Sequence, residues 1–503
     1  MAAGTVLVRA GWFTAVALCA ALVGGCESDE PLSSLGAPCS ADRDCDGLHC
    51  GGDDEAEPDD LDDEPLVCRP ATDSEDLGEA CSEADDCGRR LCLLSGACAR
   101  PCEDASDCDD AERCQAVFAR RGPDVLTTLL ACVSAVDVPE GVDVERELRR
   151  DALNGQTVDI ALPAVDPDAT MLFVLEHQSS PSPDTTTCRP PMCVSELRAG
   201  SETLFRAGVC VDDAAPRVPV ATGDHIDPVV FRFAGEGAQL GERDGYVATL
   251  ESEASGDLLL TRLASSERRQ RLDLNLFYVG ATDLEPEGAR GPALIEAALE
   301  EVDEIFAPAD IFIGDVRQVR VGGALPERGT AFPDGDESQG FASLAVRFGV
   351  YAELPHLFRL SAGASNPAIN LFFVADIALL AGSEPEAQAG GIPGPMGMHG
   401  TGGSGIVIAA DMMQDERALG RTLAHELAHY LGLFHTSEAN GCVREALDDT
   451  PECRVEQDVD GDGLGVTDCL EHGADNLMFF AKTNGTELTP QQIEVLRSAP
   501  ILQ

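Results

Sequence analysis

Hydrophobic and polar positions change their period along this chain, and each change marks a different architecture. Over residues 140–268 short apolar stretches are separated by turn clusters such as Asp166-Pro167-Asp168. Residues 157–162 alternate apolar and polar, 170–175 form an unbroken apolar run, and 229–233 and 258–263 repeat the theme. A period of two in stretches this short predicts strands, and the set predicts a small all-β sandwich serving as an accessory domain or pro-domain. From residue 271 onward strands alternate with helical spacing. Residues 272–279, 312–321 and 368–374 read as strands, and 293–306 carries apolar residues at helical intervals. Residues 405–410 read as a further strand. The Gly-rich run 390–405 before it reads as a flexible rim. Asp415 is placed to cap a further helix. This alternation predicts an α/β domain over 271–503.

Residues 26–135 show neither period. They hold three related units, each opening with C-x5-C: Cys39, Cys45, Cys50 and Cys68; then Cys81, Cys87, Cys92 and Cys98; then Cys102, Cys108, Cys114 and Cys132. Apolar residues are few here, so disulfides are expected to hold the units together as a stalk or binding module. Metal knuckles are the alternative, but C-x5-C is not the C-x-x-C spacing of zinc sites. Four cysteines allow three pairings per unit. The units resemble small Cys-rich repeats of myxobacterial surface lipoproteins.

Composition changes the picture in two ways. Asp and Glu number 90 against 34 Lys and Arg, a formal charge of −56. Such an excess excludes nucleic acid as a partner and argues against an anionic membrane surface. The 20 cysteines imply an oxidising compartment. The first 25 residues agree: Arg9 precedes an apolar run over 11–23 that is short for a transmembrane span, and small residues lead into Cys26. The end of this run resembles a bacterial lipobox, which implies cleavage before Cys26, acylation of that residue and a lipid anchor in the cell envelope. An ordinary signal peptide is the alternative, and either implies export. With Cys19 removed and Cys26 lipidated, eighteen cysteines remain to pair.

The chemistry concentrates in one stretch, His425-Glu426-Leu427-Ala428-His429-Tyr430-Leu431-Gly432-Leu433-Phe434-His435. His425 and His429 lie four apart, one turn along one helix face, so both imidazoles can grip one ion. Gly432 can take positive φ, end the helix and return the chain with His435 as third ligand. Three neutral imidazoles leave a fourth tetrahedral position of zinc open for water, as in catalytic sites. Glu426 then sits beside that water as general base for peptide hydrolysis. A purely structural zinc site would leave Glu426 without a role.

This motif resembles that of the metzincin zinc metalloproteases. The residues beyond it narrow the resemblance to the pappalysin (cytophagalysin) group, which has G-L-x-H-T, D-x-V-x-D-T-P and N-x-M-D-Y. Here these are Gly432 to Thr436, Glu445 to Pro451, and Asn476-Leu477-Met478-Phe479-Phe480. The resemblance covers the chain from about residue 271 to its last residue. It implies a metzincin-type catalytic domain, protein or peptide substrates bound by strand addition at residues 405–410 as the edge strand beside the cleft, and Met478 in a turn beneath the three histidines. It also implies a calcium site at Glu445, Asp449 and Thr450, with Glu445 in place of the family's Asp. Phe479-Phe480 depart from the family's Asp-Tyr, so no tyrosine hydroxyl helps the reaction at that place.

Three further expectations complete the reading. Asp458, Asp460 and Asp462 begin like a calcium loop, but position twelve is Cys469, which cannot supply a bidentate carboxylate; a tight acidic turn is the plainer reading. Cys188, Cys193 and Cys210 upstream and Cys442, Cys453 and Cys469 downstream give three plus three, which allows a bridge between domains or a free thiol that caps the metal. The competing function is a surface-anchored binding or adhesion lipoprotein that uses an inactive protease scaffold.

Overall fold

The computed structural model describes residues 48–51, 67–70, 91–120, 126–178, 192–206, 229–233, 245–322, 343–346, 354–379, 387–410 and 415–503, with short interruptions. Cys26, the acidic residues 53–64, Cys188, Cys210, Cys442 and residues 459–462 lie outside the described residues. The chain is β-rich and built from several sheets, with few helices and with disulfides. Among the described residues no helix is long and apolar enough to cross a membrane.

In the Cys-rich region β1 (Leu48–Gly51) pairs with β2 (Val67–Pro70). Downstream, β3 (Leu91–Cys92), β4 (Cys98–Pro101), β5 (Glu112–Arg120) and β6 (Leu126–Ser134) form one sheet in the order β3-β4-β6-β5. Cys102 pairs with Cys114 and Cys108 with Cys132, a first-to-third and second-to-fourth connectivity. Disulfides are not the whole of it. Leu91, Leu93, Ala99, Val117, Ala131 and Val133 are buried together with Ala362, which lies far downstream. The β3-β4-β6-β5 sheet is therefore no free stalk, because part of its small core is supplied by the C-terminal region.

The sandwich expected over 140–268 is present. One sheet runs β12-β9-β14-β7 and the other β11-β10-β13-β8. The strands are β7 (Asp143–Asn154), β8 (Val158–Leu162), β9 (Thr170–Gln178), β10 (Met192–Ala199), β11 (Glu202–Arg206), β12 (Val229–Phe233), β13 (Tyr246–Ser252) and β14 (Ser255–Ser265). Phe173, Phe231, Phe233 and Tyr246 fill the space between the sheets. The opposite face of the first sheet is also dry. Leu172, Val174, Val230 and Leu263 are at most 4% exposed and belong to the apolar core of the C-terminal region. That explains why 170–175 reads as an unbroken run: both faces are buried.

The C-terminal region is organised on a five-stranded sheet, β16-β15-β18-β21-β20. Its strands are β15 (Arg271–Val279), β16 (Phe312–Gly322), β18 (Ala368–Val374), β20 (Ala387–Ala389) and β21 (Ile406–Ala409). A separate parallel pair joins β17 (Ser343–Val346) to β19 (Asp376–Leu379). The first four strands of the five-stranded sheet are parallel, and β20 adds antiparallel at one edge. Helix α1 (Gly291–Phe306) and the later metal-motif helix share the core on one face with Leu274, Leu276, Leu371 and Ile408. The short α2 (Leu354–Phe358) covers Phe277, Phe372 and Val407 on the other.

Two expectations are corrected here. Residues 406–409 are not the edge strand; β20 covers them, and its three residues were too short to read in the sequence. Nor is 390–405 a flexible rim: Met396, Met398, His399, Thr401 and Ser404 are buried. Its glycines allow close packing rather than motion. A Cβ at Gly394 would fall 2.1 Å from the Tyr430 ring, so only glycine lets this loop lie on the helix. Sequence alone cannot separate a mobile glycine-rich run from a tightly apposed one. The third Cys-rich unit holds the same loop: Arg113 donates to the His399 carbonyl, Gln115 Nε2 to the Gly400 carbonyl at 2.7 Å, and the Asp137 amide to the Gly397 carbonyl at 2.7 Å.

Candidate metal centre

Helix α3 (Glu416–Leu431) carries the motif. Asp415 caps it as expected, its carboxylate accepting the Ala418 amide at 2.7 Å, which satisfies an N-terminal donor of the helix. Leu419, Leu423, Leu427 and Leu431 bury one stripe and fix the helix's rotation. Gly432 ends it at φ +115°, and its amide bonds back to the His429 carbonyl at 2.9 Å. A side chain at that φ is strained, so glycine is what sends the chain back with His435.

The three imidazoles converge. Nε2 of His435 lies 3.3 Å from Nε2 of His425 and 3.1 Å from Nε2 of His429. Each ring's other nitrogen faces an acceptor. His425 Nδ1 is 2.7 Å from the Leu477 carbonyl, His429 Nδ1 is 2.7 Å from the Leu433 carbonyl, and His435 Nδ1 is 2.9 Å from Glu438 Oε1. A carbonyl or carboxylate only accepts, so each Nδ1 carries the proton and donates. Every Nε2 then presents a bare lone pair to the same small volume. Three lone pairs at these distances repel one another unless a cation lies among them. The neutral Nδ1–H tautomer, held from behind by an acceptor, is the form that ligates metal. Among the described residues these are the histidines whose ring nitrogens cluster closely enough to hold one ion. The donor set fits zinc, which takes imidazole nitrogen in tetrahedral sites. Burial holds His425 down at about 4 and pushes His429 well below the ordinary imidazole range, in both cases favouring the neutral ring.

Glu426 is buried at 8% exposure, and its Oε2 accepts the Ala389 amide of β20 at 2.7 Å. Burial pushes its carboxyl up to about 7, with the Ala389 hydrogen bond pulling the other way. His435 keeps 23% of its side chain exposed, so the convergence point opens to solvent on that side.

Met478 is fully buried in the core below the site. Its turn is stitched to the motif: the Thr436 amide donates to the Met478 carbonyl at 2.9 Å, and Asn476 Oδ1 accepts the Met478 amide at 2.8 Å. Phe479 and Phe480 pack on the Cys453–Cys469 disulfide and Leu464. With Cys453 and Cys469 paired, a free thiol in this region could come only from Cys442.

The residues expected for calcium are split in role. Asp449 caps the last helix, α4 (Pro490–Arg497), accepting from Thr489 Oγ1 at 2.8 Å and the Gln491 amide at 2.9 Å. Glu445 is buried, takes Gln492 Nε2 on one oxygen at 3.1 Å, and is pushed up to about 7 by desolvation. Its other oxygen and Thr450 Oγ1 are buried without a good hydrogen bond. Glu445 and Thr450 therefore retain oxygen capacity for a hard cation, whereas both Asp449 oxygens are engaged. The Gly463 amide donates to Asp458 Oδ2 at 3.2 Å, which fits the acidic-turn reading of that loop.

Sequence reasoning missed the groups that orient the ligands. Glu438 was visible as a carboxylate three residues after His435. The Leu433 and Leu477 carbonyls and the Ala389 amide had no signal, because backbone groups take part whatever the residue. Glu438→Ala is expected to weaken zinc affinity about 10- to 100-fold while leaving the fold intact. Competition against a zinc-chelating dye measures this, and an unchanged affinity would remove Glu438 from the site.

No known family model matches this chain, and no curated protein matches it. Two of the solved structures that overlap it in part are carbohydrate esterases. An active-site mutant of a family two carbohydrate esterase from Clostridium thermocellum, in complex with celluohexase, is 5% identical over 46% of this chain, with a TM-score of 0.11. The chain spans 66% of that protein's length. A family two carbohydrate esterase from Cellvibrio japonicus is 10% identical over 48% of this chain and 82% of its own, with a TM-score of 0.10. Overlaps this weak carry no argument about fold or activity.

Proposed function

We propose that this protein is an exported zinc-dependent endopeptidase with a metzincin-type catalytic domain of the pappalysin group, anchored to the cell envelope by lipid on Cys26. The observation that carries the reading is the convergence of three unprotonated Nε2 atoms beside a buried carboxylate held by a strand amide. His425, His429 and His435 would hold the zinc, and Leu477, Leu433 and Glu438 fix their tautomers. Zinc bound there supplies Lewis acidity, polarising the scissile carbonyl and acidifying a water molecule. Glu426 receives the proton of the attacking water and later delivers it to the leaving amine. The Ala389 amide keeps one of its oxygens fixed, so the other faces the reaction without a search over rotamers. The outer edge of β20 offers backbone groups for an extended peptide to add as a strand. Glu445 and Thr450 are assigned a supporting calcium ion.

Chelation tests the metal requirement. Removing a ligand bound at a thousandfold excess over its Kd is expected to cost about 4 kcal/mol of stability. A chelator should therefore both abolish proteolysis and lower the melting temperature, and stoichiometric zinc should restore both. A chain whose melting temperature ignores chelator and zinc alike has no such site.

A further inference from the structure

Beside the three histidines lies a cleft of about 310 Å³, lined by Ala418, Arg421, Thr422, Val466, Thr483 and Asn484. The first three stand on α3 at i, i+3 and i+4, and His425 is the next residue on that face. The cleft is thus one helical turn from a metal ligand, on the side that carries the ligands. Its far wall comes from the segment packed on the Cys453–Cys469 core and from residues just past the Met478 turn. Among the described residues its lining holds one charge, Arg421, and no acid. Arg421 is half-buried and, among the described residues, makes no hydrogen bond or ion pair. Its neighbour one turn earlier, Arg417, is turned instead to Glu301 at 3.8 Å. In a chain with 90 acidic and 34 basic residues, a cation with no acid beside it among the described lining residues is available for a ligand's carboxylate. Lys482, the chain's one lysine, immediately precedes the lining residue Thr483 in sequence.

We infer that Arg421 sets substrate class: the cleft takes an acidic side chain, Asp or Glu, of a peptide lying across the three imidazoles. A guanidinium in a half-buried cleft forms a charge-assisted, two-pronged hydrogen bond with a carboxylate. Thr422, Thr483 and Asn484 supply neutral hydrogen-bonding groups around it, and Ala418 and Val466 pack the methylenes. This rests on the proposed peptidase reading, but its test does not require turnover.

The experiment uses the full-length zinc-loaded chain carrying Glu426→Gln, which should bind peptide without cleaving it. Glu, Gln and Lys are scanned through each position of one amidated peptide, and Kd is read by fluorescence anisotropy. A second arm repeats the Gln peptide with a free C-terminus, to separate a side-chain carboxylate from a terminal one. At one position Glu should bind about tenfold tighter than Gln, a gain weakened by salt. Adding Arg421→Gln should erase that gain, and Arg421→Glu should make Lys the favoured residue there. The inference is overturned if no position prefers Glu, if only the free C-terminus gains, or if Arg421→Gln leaves the Glu-to-Gln ratio intact at an unchanged melting temperature. If the preference holds but the wild-type chain cleaves no peptide, the peptidase reading fails and the acidic subsite stands. If no peptide binds at all, both fall.

Discussion

Glu426→Gln is expected to fold normally, bind one zinc ion per chain, and lose proteolytic activity by about 10²- to 10⁴-fold, the share general-base catalysis supplies. The reason lies in what the substitution keeps. Gln has the same shape, and its carbonyl oxygen can still accept the Ala389 amide that now lies 2.7 Å from Glu426 Oε2. None of the three imidazoles relies on Glu426 for its tautomer; those partners are Leu477, Leu433 and Glu438. Metal content and melting temperature should therefore stay at wild-type levels. What Gln cannot do is take a proton. Elemental analysis, thermal unfolding and turnover of a denatured protein substrate, measured on one preparation, separate the two. Full activity in a zinc-loaded Glu426→Gln variant would sink the proposed mechanism, while loss of zinc along with activity would show that Glu426 acts through the fold instead.

Much of the site was legible because it is local. The two histidines, Glu426, Gly432 and His435 fall within eleven residues, and helix geometry alone predicts that His425 and His429 share a face. The Asp415 cap and the strand at 368–374 were legible for the same reason: each depends on its own few side chains. What could not be read depends on contacts far apart in sequence. The edge strand Ala387–Ala389 has too few residues to show a period, and it exists because the Ile406–Ala409 backbone pairs with it. The glycine run 390–405 looks mobile by composition, yet Arg113 and Gln115, nearly 300 residues upstream, hold its carbonyls. A hydrogen bond to a carbonyl leaves no mark on the residue that owns it. The Cys-rich units looked self-sufficient because counting cysteines accounts for their cohesion. Ala362 in their core shows that the third unit and the C-terminal region share buried surface.

That sharing bears on how the β20 edge stays in place. A three-residue strand is a weak element on its own, and β20 must hold its Ala389 amide on Glu426. Among the described residues, the loop that follows it, 390–405, joins it to β21 and helps to hold it. The loop is pinned from below by Asn370, whose side-chain amide donates to the Ser404 carbonyl at 2.7 Å and meets His399 Nδ1 at 2.9 Å. His399 Nε2 in turn faces the Asn366 carbonyl at 2.8 Å, so the ring is neutral with its proton on Nε2. Burial lowers its proton affinity further. This buried histidine is a structural post and not a fourth ligand. From above, the loop is held by the third Cys-rich unit. The third Cys-rich unit and the loop packed on the metal-motif helix are thus mechanically one piece.

Arg232→Ala is expected to lower stability by about 2–4 kcal/mol, the combined loss of buried side-chain packing and of hydrogen bonds to a buried carbonyl. Arg232 sits on β12 of the sandwich, 3% exposed, and donates to the Val495 carbonyl at 2.8 Å and to Ser498 at the end of α4. Its stem passes the helix end that delivers His435: a Cβ at Gly432 would fall 3.2 Å from Arg232 Cδ. Burial pulls the guanidinium down to about 10, with Glu494 opposing, so the fold carries an incompletely compensated charge here. Arg232→Met separates the contributions, because a similar volume without charge is often neutral or stabilising at a buried ionic position. Met should therefore be tolerated far better than Ala if packing dominates, and chemical denaturation of the three proteins measures the difference. The sandwich around Arg232 bears on the pro-domain reading in the same way. A pro-domain that leaves would expose Leu172, Val174, Val230 and Leu263 together with the buried face they share with the C-terminal region. Activity that rises after proteolytic removal of residues 140–268, with the remaining chain still folded, would restore that reading; aggregation of the remainder is the expected result.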